Sequence, residues 1–448
     1  MNLHDLTATE AAAAIRRREL SPVELVEALL KRVEALEPKV KAWAYLDRDG
    51  ARKEARRLGD EVARGSLRGP LHGVPFAAKD IFYSAGLPTE AGSKVYAGFV
   101  PTYDATTVAR VKAAGAILLG KAHTTEFATL DPAPTGNPWN LAHTPGGSSS
   151  GSAAAVGARM VPLAFGTQTA GSAVRPASFC GLVGLKPTYG RISLYGIVPL
   201  AWTQDHVGLM ARSVEDIALL LQVTAGHDPN DPGSSREPVP DYSAAIQRRR
   251  PPRVGLLREF FFERADADVA RVTNEAVERL AQAGAIVEET KLPQSFGVVH
   301  AASWTIIQVE AASFHADLHA EKANLYRPKI RAIIETGALI PGVLYLRSLQ
   351  IRRRFRREMA GLLDRFDVLL TPTTRTPAPE GLGSTGDPIF QTPWSISGLP
   401  SITLPCGLSA SGLPLGVQLI AGPLAEAALL SAAAWCEAAL GRGPAPSL

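Results

Sequence analysis

The sequence predicts an α/β protein, and three observations carry that expectation. The run Gly73-Val74-Pro75-Phe76-Ala77-Ala78-Lys79-Asp80-Ile81-Phe82 reads as a short buried strand with a lysine at its end. Helix and strand signals then alternate along the chain, as layered α/β folds require. The chain has 448 residues, 46% hydrophobic and 20% charged, enough to bury a large core. Length alone suggests about three domains of roughly 150 residues. With no internal repeat and no separating linker, one domain over residues 1–448 is the simpler expectation.

In chain order, residues 1–65 read as helices packed on the rest. Ser21-Pro22-Val23-Glu24 is a capping box with proline at the first helical position, and Leu25, Leu29, Val33 and Leu36 follow at helical spacing. After the strand ending near Lys79, Asp104 is expected to cap a helix through Val111, and Ala116–Leu119 reads as a strand. Ala153–Val156 starts a helix, and Ser213-Val214-Glu215-Asp216 opens another. Residues 228–235 are a loop by composition. Arg253–Leu257 reads as a strand, 266–284 as a helix, Ile286-Val287 as a strand and Asp367–Leu370 as a buried strand. A basic helix is expected from Ser348. Its arginines 352–354, 356 and 357 suit a solvated face with partners such as Glu358, or a polyanion site.

Several function classes drop out early. The net charge of +4 is too small for a nucleic-acid field. Cys180, Cys406 and Cys436 have no metal spacing and suit a reducing compartment, so a cytoplasmic location is expected. Neither a signal peptide nor a run of about 18 apolar residues is seen. The loop pattern G-x-x-x-x-G-K-[ST] is absent. Gly147-Ser148-Ser149-Ser150-Gly151 fits G-x-S-x-G formally but lacks the apolar strand that feeds a nucleophile elbow. His315 and His319 stand four apart without the glutamate of a zinc motif, so no metal is expected.

Glycine is the compositional signal: eleven of the 40 fall between Gly146 and Gly208. That stretch holds Pro145-Gly146-Gly147-Ser148-Ser149-Ser150-Gly151-Ser152, Gly166-Thr167-Gln168-Thr169-Ala170-Gly171-Ser172, and Arg175-Pro176-Ala177-Ser178-Phe179-Cys180-Gly181-Leu182-Val183-Gly184-Leu185-Lys186-Pro187-Thr188. It resembles the signature of the amidase signature family, serine hydrolases that cleave amides through a Ser-Ser-Lys triad. Gly73–Asp80 and the segments around Gly398-Leu399-Pro400 and Gly412–Gln418 resemble further parts of that family, so the matching core spans roughly 70–425. The resemblance implies a mixed central β-sheet with helices on both faces, and no cofactor.

Carried over by position, Lys79 resembles the family's base, Ser148 its middle serine after a cis peptide, and Ser172 its nucleophile, with the serines 24 residues apart. The backbone of Thr169, Ala170, Gly171 and Ser172 resembles the oxyanion hole, where loss of a donor costs on the order of 3 kcal/mol. The chemistry is coherent on its own terms. A serine hydroxyl needs an adjacent base, a lysine serves only when neutral, and burial in an apolar strand favours the neutral form. Ser148, both donor and acceptor, can carry the proton between them.

Two departures concern the substrate. The chain has Gln168-Thr169-Ala170-Gly171 where Asp-Thr-Gly-Gly is common in the family, and its arginine, Arg175, stands three rather than two positions after Ser172. Phe82, Tyr83, Phe127, Gln168, Arg175, Ile389, Phe390 and Trp394 are the candidate pocket residues. Within the family the chain resembles the glutamine-hydrolysing component of tRNA-dependent amidotransferases, for example at Tyr189–Ser193 and Ala225–Pro229. The aspartate expected to hold glutamine's ammonium, however, falls on Pro388, next to Asp387. The expectation is therefore a stand-alone amidase for small, largely apolar amides, with esterase or carbamate (urethane) hydrolase activity beside it. The glutamine-hydrolysing component is the alternative. The expected partners are a small-molecule amide, ester or carbamate and a second copy of the chain, with no nucleic acid and no membrane.

Overall fold

Apolar runs become strands. In the computed structural model, which describes residues 2–248 and 250–448, they are β1 (Trp43–Leu46), β2 (Pro75–Lys79), β3 (Ile117–Ala122), β4 (Leu163–Gln168), β5 (Val183–Lys186), β6 (His206–Ala211), β7 (Arg253–Leu257), β8 (Ile286–Thr290), β9 (Val368–Pro372), β10 (Ser401–Leu408) and β11 (Pro414–Ile420). All eleven join one sheet in the order β1-β3-β2-β4-β6-β5-β10-β11-β9-β7-β8. β2 pairs in parallel with β3 and β4, and β7 in parallel with β8 and β9. The other ladders are antiparallel, so the sheet is mixed.

Successive strand residues point to opposite faces, so neighbouring residues of β2 and β4 enter two different cores. Phe76 and Ala78 of β2 join Leu163 and Phe165 of β4 in one. Ala77 and Ala164 turn to the other. Helix Val214–Thr224 supplies Ile217, Leu220 and Leu221 to the first core. Helix Ser150–Gly157 supplies Ala153 through Val156 to the second. At the N-terminus the capping box at Ser21 forms, and helix Pro22–Val40 buries Leu25, Leu29, Val33 and Leu36.

Within residues 1–65, expected to be helical, Trp43–Leu46 instead forms strand β1 against β3, and two helices also differ from the reading. The one expected to be capped by Asp104 spans Thr106–Ala113, because the Asp104 carboxylate is taken by Ala85 N–H at 2.8 Å and Lys112 Nζ at 2.9 Å. The basic helix starts earlier, spanning Gly342–Leu363 after Pro341. Arg354 pairs with Glu358 at 2.7 Å, as an exposed face would. Arg352 and Arg356 turn inward, to the carbonyls of Thr203 at 3.1 Å and Ser397 at 2.6 Å. No single helix among the described residues is long and apolar enough to cross a membrane; Pro328–Leu339 and Gly342–Leu363 pass that test only as a pair bent by 101°.

The glycine excess has a steric cause. Gly166 of β4 and Gly208 of β6 are paired. A Cβ on Gly166 would lie 2.5 Å from Ser149 Oγ, and one on Gly208 would lie 2.3 Å from Ala173 Cβ. The bare backbone lets the segments after Ser148 and Ser172 rest on the sheet. Gly208→Ala is expected to cost about 1–3 kcal/mol of stability through overpacking. Urea denaturation checks this, and an unchanged midpoint would show that the two layers can separate freely.

Candidate active site

The ends of β2 and β4 bring together three distant segments. Lys79, the last residue of β2, is fully buried, and its Nζ donates to Ser148 Oγ at 2.7 Å and to Thr167 Oγ1 at 2.8 Å. Burial pushes the Lys79 ammonium down to about 7, against the opposing pull of Asp205. A lysine so placed is neutral for much of the time near pH 7 and can take a proton from Ser148.

Ser148 precedes helix Ser150–Gly157, and the Gly147–Ser148 peptide is cis. Hydrogen bonds hold this turn on both sides: Arg175 Nη2 donates to the Gly147 carbonyl at 2.6 Å, and Thr125 N–H to the Ser148 carbonyl at 3.2 Å. Ser149 N–H reaches the Ser172 carbonyl at 3.4 Å, which sets the two serine-bearing segments side by side.

Ser172 lies in the loop between β4 and helix Val174–Phe179. The loop is fastened by its carbonyls, Thr169 accepting from Gln204 Nε2 at 2.9 Å and Ala170 from Ser395 Oγ at 2.6 Å. The N–H groups of Ala170, Gly171 and Ser172 meet no protein acceptor among the described residues. Donors held this way can receive a developing oxyanion without reorganising.

Ser172 opens onto a cavity of about 210 Å³. Its apolar wall comes from Leu200, Trp304, Ile307, Ile333 and Ile389, and its polar groups from Arg175, His300, Ser303 and Asp387. Arg175 is buried, which lowers its guanidinium to about 10, and Asp387 acts in the opposite direction.

Of the candidate pocket residues, Arg175 and Ile389 reach this wall. Gln168 instead serves the following helix, its side-chain oxygen accepting from Ala173 N–H at 3.0 Å and Val174 N–H at 2.9 Å. Phe82 packs on Phe165, Tyr83 on Phe99 and Tyr103, and Phe127 on His315 and Tyr326. Phe390 and Trp394 pack on Phe261. Sequence reading missed the role of Thr167, whose bond to Lys79 is a tertiary contact, and missed Asp205 and the wall from helices Val299–Lys322 and Pro328–Leu339, which reach the site only through the fold. It also gave no sign that Lys121 and Lys186 are buried. Lys121 bonds Thr89 Oγ1 at 2.6 Å and Phe82 O at 2.7 Å, whereas Lys186 bonds the carbonyls of Leu399 and Pro187. Of the three buried lysines, Lys79 is the one with a serine partner. His315 Nδ1 pairs with Tyr326 Oη at 3.0 Å, and the described residues contain no cluster of three metal-ligating side chains.

A family model described as Amidase matches residues 24–430. The A component of the glutamyl-tRNA(Gln) amidotransferase of Moorella thermoacetica is 39% identical over 97% of this chain and 96% of its own. Its counterpart in Anaeromyxobacter dehalogenans is 41% identical over 98% and 96%. Among solved structures, 6-aminohexanoate cyclic dimer hydrolase with substrate superposes with a TM-score of 0.90 at 31% identity, covering 100% of this chain and 99% of the other. Peptide amidase from Stenotrophomonas maltophilia gives 0.86 at 31%, covering 99% and 98%.

These relatives overturn the expectation of a stand-alone amidase for small apolar amides, because chains alike over nearly their whole length are named as components of an amidotransferase. They also overturn the expected partner set of a small molecule without nucleic acid, since the amidotransferase so named takes a tRNA. The physical reasons are two. Whole-chain charge reports on one chain's surface and not on what a complex binds. Pro388 itself carries no acid, but the fold brings its neighbour Asp387 to the cavity wall beside Ser172.

Proposed function

The chain belongs to the amidase family, and on that premise we propose that it hydrolyses the side-chain amide of glutamine as the A component of a glutamyl-tRNA(Gln) amidotransferase, passing ammonia to a partner chain. The observation that carries this reading is Asp387 on the wall of the cavity that holds Ser172. A carboxylate there meets the α-ammonium of a free amino acid whose side chain reaches the serine, and a charge-assisted hydrogen bond of this kind is strong. The whole chain acts as one amidase domain, in the cytoplasm.

The chemistry follows from the geometry. Ser148 takes the Ser172 proton as Ser172 Oγ attacks the carboxamide carbon, while Lys79, neutral, accepts the proton of Ser148. The N–H groups of residues 170–172 hold the oxyanion. Collapse breaks the C–N bond, the proton returns through Ser148 to the departing nitrogen, and ammonia leaves. Water then enters by the same relay and frees glutamate.

The test measures glutamate release by the chain alone and with the partner chains of a relative. Glutamine turnover is expected, stimulated by the partners. Inert glutamine in both settings, with aryl amides, esters or carbamates turned over, would sink the proposal. Asp387→Asn is expected to raise KM for glutamine about tenfold or more with a smaller effect on kcat, and an unchanged KM would remove Asp387 from the reading.

A further inference from the structure

Asp205 stands one residue before β6, opposite Thr169 at the end of β4, because Gln168 pairs with His206 across the ladder. It is 5% exposed, and each oxygen has a partner. One accepts from Thr169 Oγ1, and the other accepts from the N–H groups of Leu200 at 2.8 Å and Ala201 at 3.0 Å. Its neighbour Gln204 holds the Thr169 carbonyl and also donates to Ser303 Oγ at 2.7 Å. The 200–205 turn thus grips Thr169 at hydroxyl and carbonyl, at the head of the loop that carries the free N–H groups. Two residues before Thr169, Thr167 accepts from Lys79 Nζ.

We propose that Asp205 is a positioning residue for this reaction: through Thr169 it fixes the loop that receives the oxyanion, and it places a buried carboxylate on Thr169, two residues along from the Thr167 that Lys79 bonds. This rests on the Ser-Ser-Lys reading above and not on the identity of the amide. Asp205 is the charged group that acts on Lys79, and because burial raises its own carboxyl to about 6 it carries that charge from near-neutral pH upward. The other ionisable groups at this turn each have a partner or are neutral, Arg352 donating to the Thr203 carbonyl and hydroxyl. Glu310 is held by Thr203 and Tyr345 Oη, Tyr189 donates to the Trp202 carbonyl, and burial keeps His206 neutral. A negative charge near a lysine favours the ammonium, so neutralising Asp205 lets Lys79 lose its proton at lower pH.

The experiment follows the rate at which a fluorophosphonate labels Ser172, read by intact mass from pH 5 to 10, so it needs no knowledge of the substrate. In Asp205→Asn the plateau is expected to fall about tenfold and the acid-side midpoint to move down by about one pH unit. A merely structural role would lower the plateau and leave the midpoint in place, and that result overturns the electrostatic part. Thr169→Val keeps the charge and loses the hydroxyl, so it is expected to lower the plateau about tenfold with the midpoint unmoved. An unchanged plateau in Thr169→Val overturns the anchoring part, including in the case that Asp205→Asn does not fold. Lys79→Ala separates the two levels of the argument: if it labels as fast as the parent chain, the Ser-Ser-Lys reading itself has failed.

Discussion

Ser172→Ala is expected to lower amide turnover by about 10⁴-fold or more and to abolish covalent labelling, with the fold intact. The size of the effect follows from the role: a residue that forms the acyl bond has no substitute, and what remains comes from carbonyl polarisation and binding alone. Ser172 is half-buried on the wall of the cavity and packs no core, so the loss of its hydroxyl leaves the two sheet cores untouched. The melting temperature is expected to match the parent's. The measurement pairs single-turnover glutamate release with intact mass after fluorophosphonate treatment. Retained labelling at another serine, with retained turnover, would falsify the assignment.

Lys79→Met is expected to lower kcat by about 10³-fold, the size of a lost general base, while making the chain no less stable. A buried lysine whose folded-state pKa is about 7 costs stability below that pH. Between pH 7 and the unfolded value of about 10.4, the unfolded chain binds more protons than the folded one, so stability rises with pH across that window. Methionine fills a similar volume without a charge, and the rise should be smaller in the variant, the remainder coming from Lys186 and Lys121, which burial lowers to about 7 and about 8. The parent's kcat/KM is expected to climb through pH 7 as Lys79 becomes neutral and then to level. Urea midpoints at pH 7 and 9.5, set beside the pH–rate profile, check both halves. A flat rate profile from pH 6 to 9 with chemistry rate-limiting would remove Lys79 as the base.

Where the sequence was legible, a local physical rule was at work. The apolar run before Lys79, the capping box at Ser21 and the crowding of glycines between 146 and 208 each reflect short-range demands: burial, orphan N–H groups and close backbone approach. Gly166 and Gly208 illustrate the last, since neither Ser149 nor Ala173 could lie on the sheet over a Cβ. The signature residues also pointed to the family and to its mixed sheet.

Where it was not legible, the cause was distance along the chain. Phe82, Phe127, Phe390 and Trp394 are as aromatic as a pocket wall needs, yet each found a ring in the core to pack against. Lys121 and Lys186 are as buried as Lys79, and only the fold shows which of them meets a serine. The stand-alone reading turned on one position in a loop, Pro388, and a loop carries no periodicity to correct an offset of one residue. The relatives and Asp387 at the cavity wall corrected it together.

The sequence by itself determined the α/β class, the family and the segments that carry Lys79, Ser148 and Ser172, because each is written in contiguous residues under local steric and burial constraints. The tertiary structure alone decided what surrounds them. Thr167 meets Lys79 across two parallel strands, Asp205 grips the loop from the start of β6, and two helices more than a hundred residues downstream close the cavity over Ser172. Those contacts form when the whole sheet assembles, and no stretch of chain holds both partners.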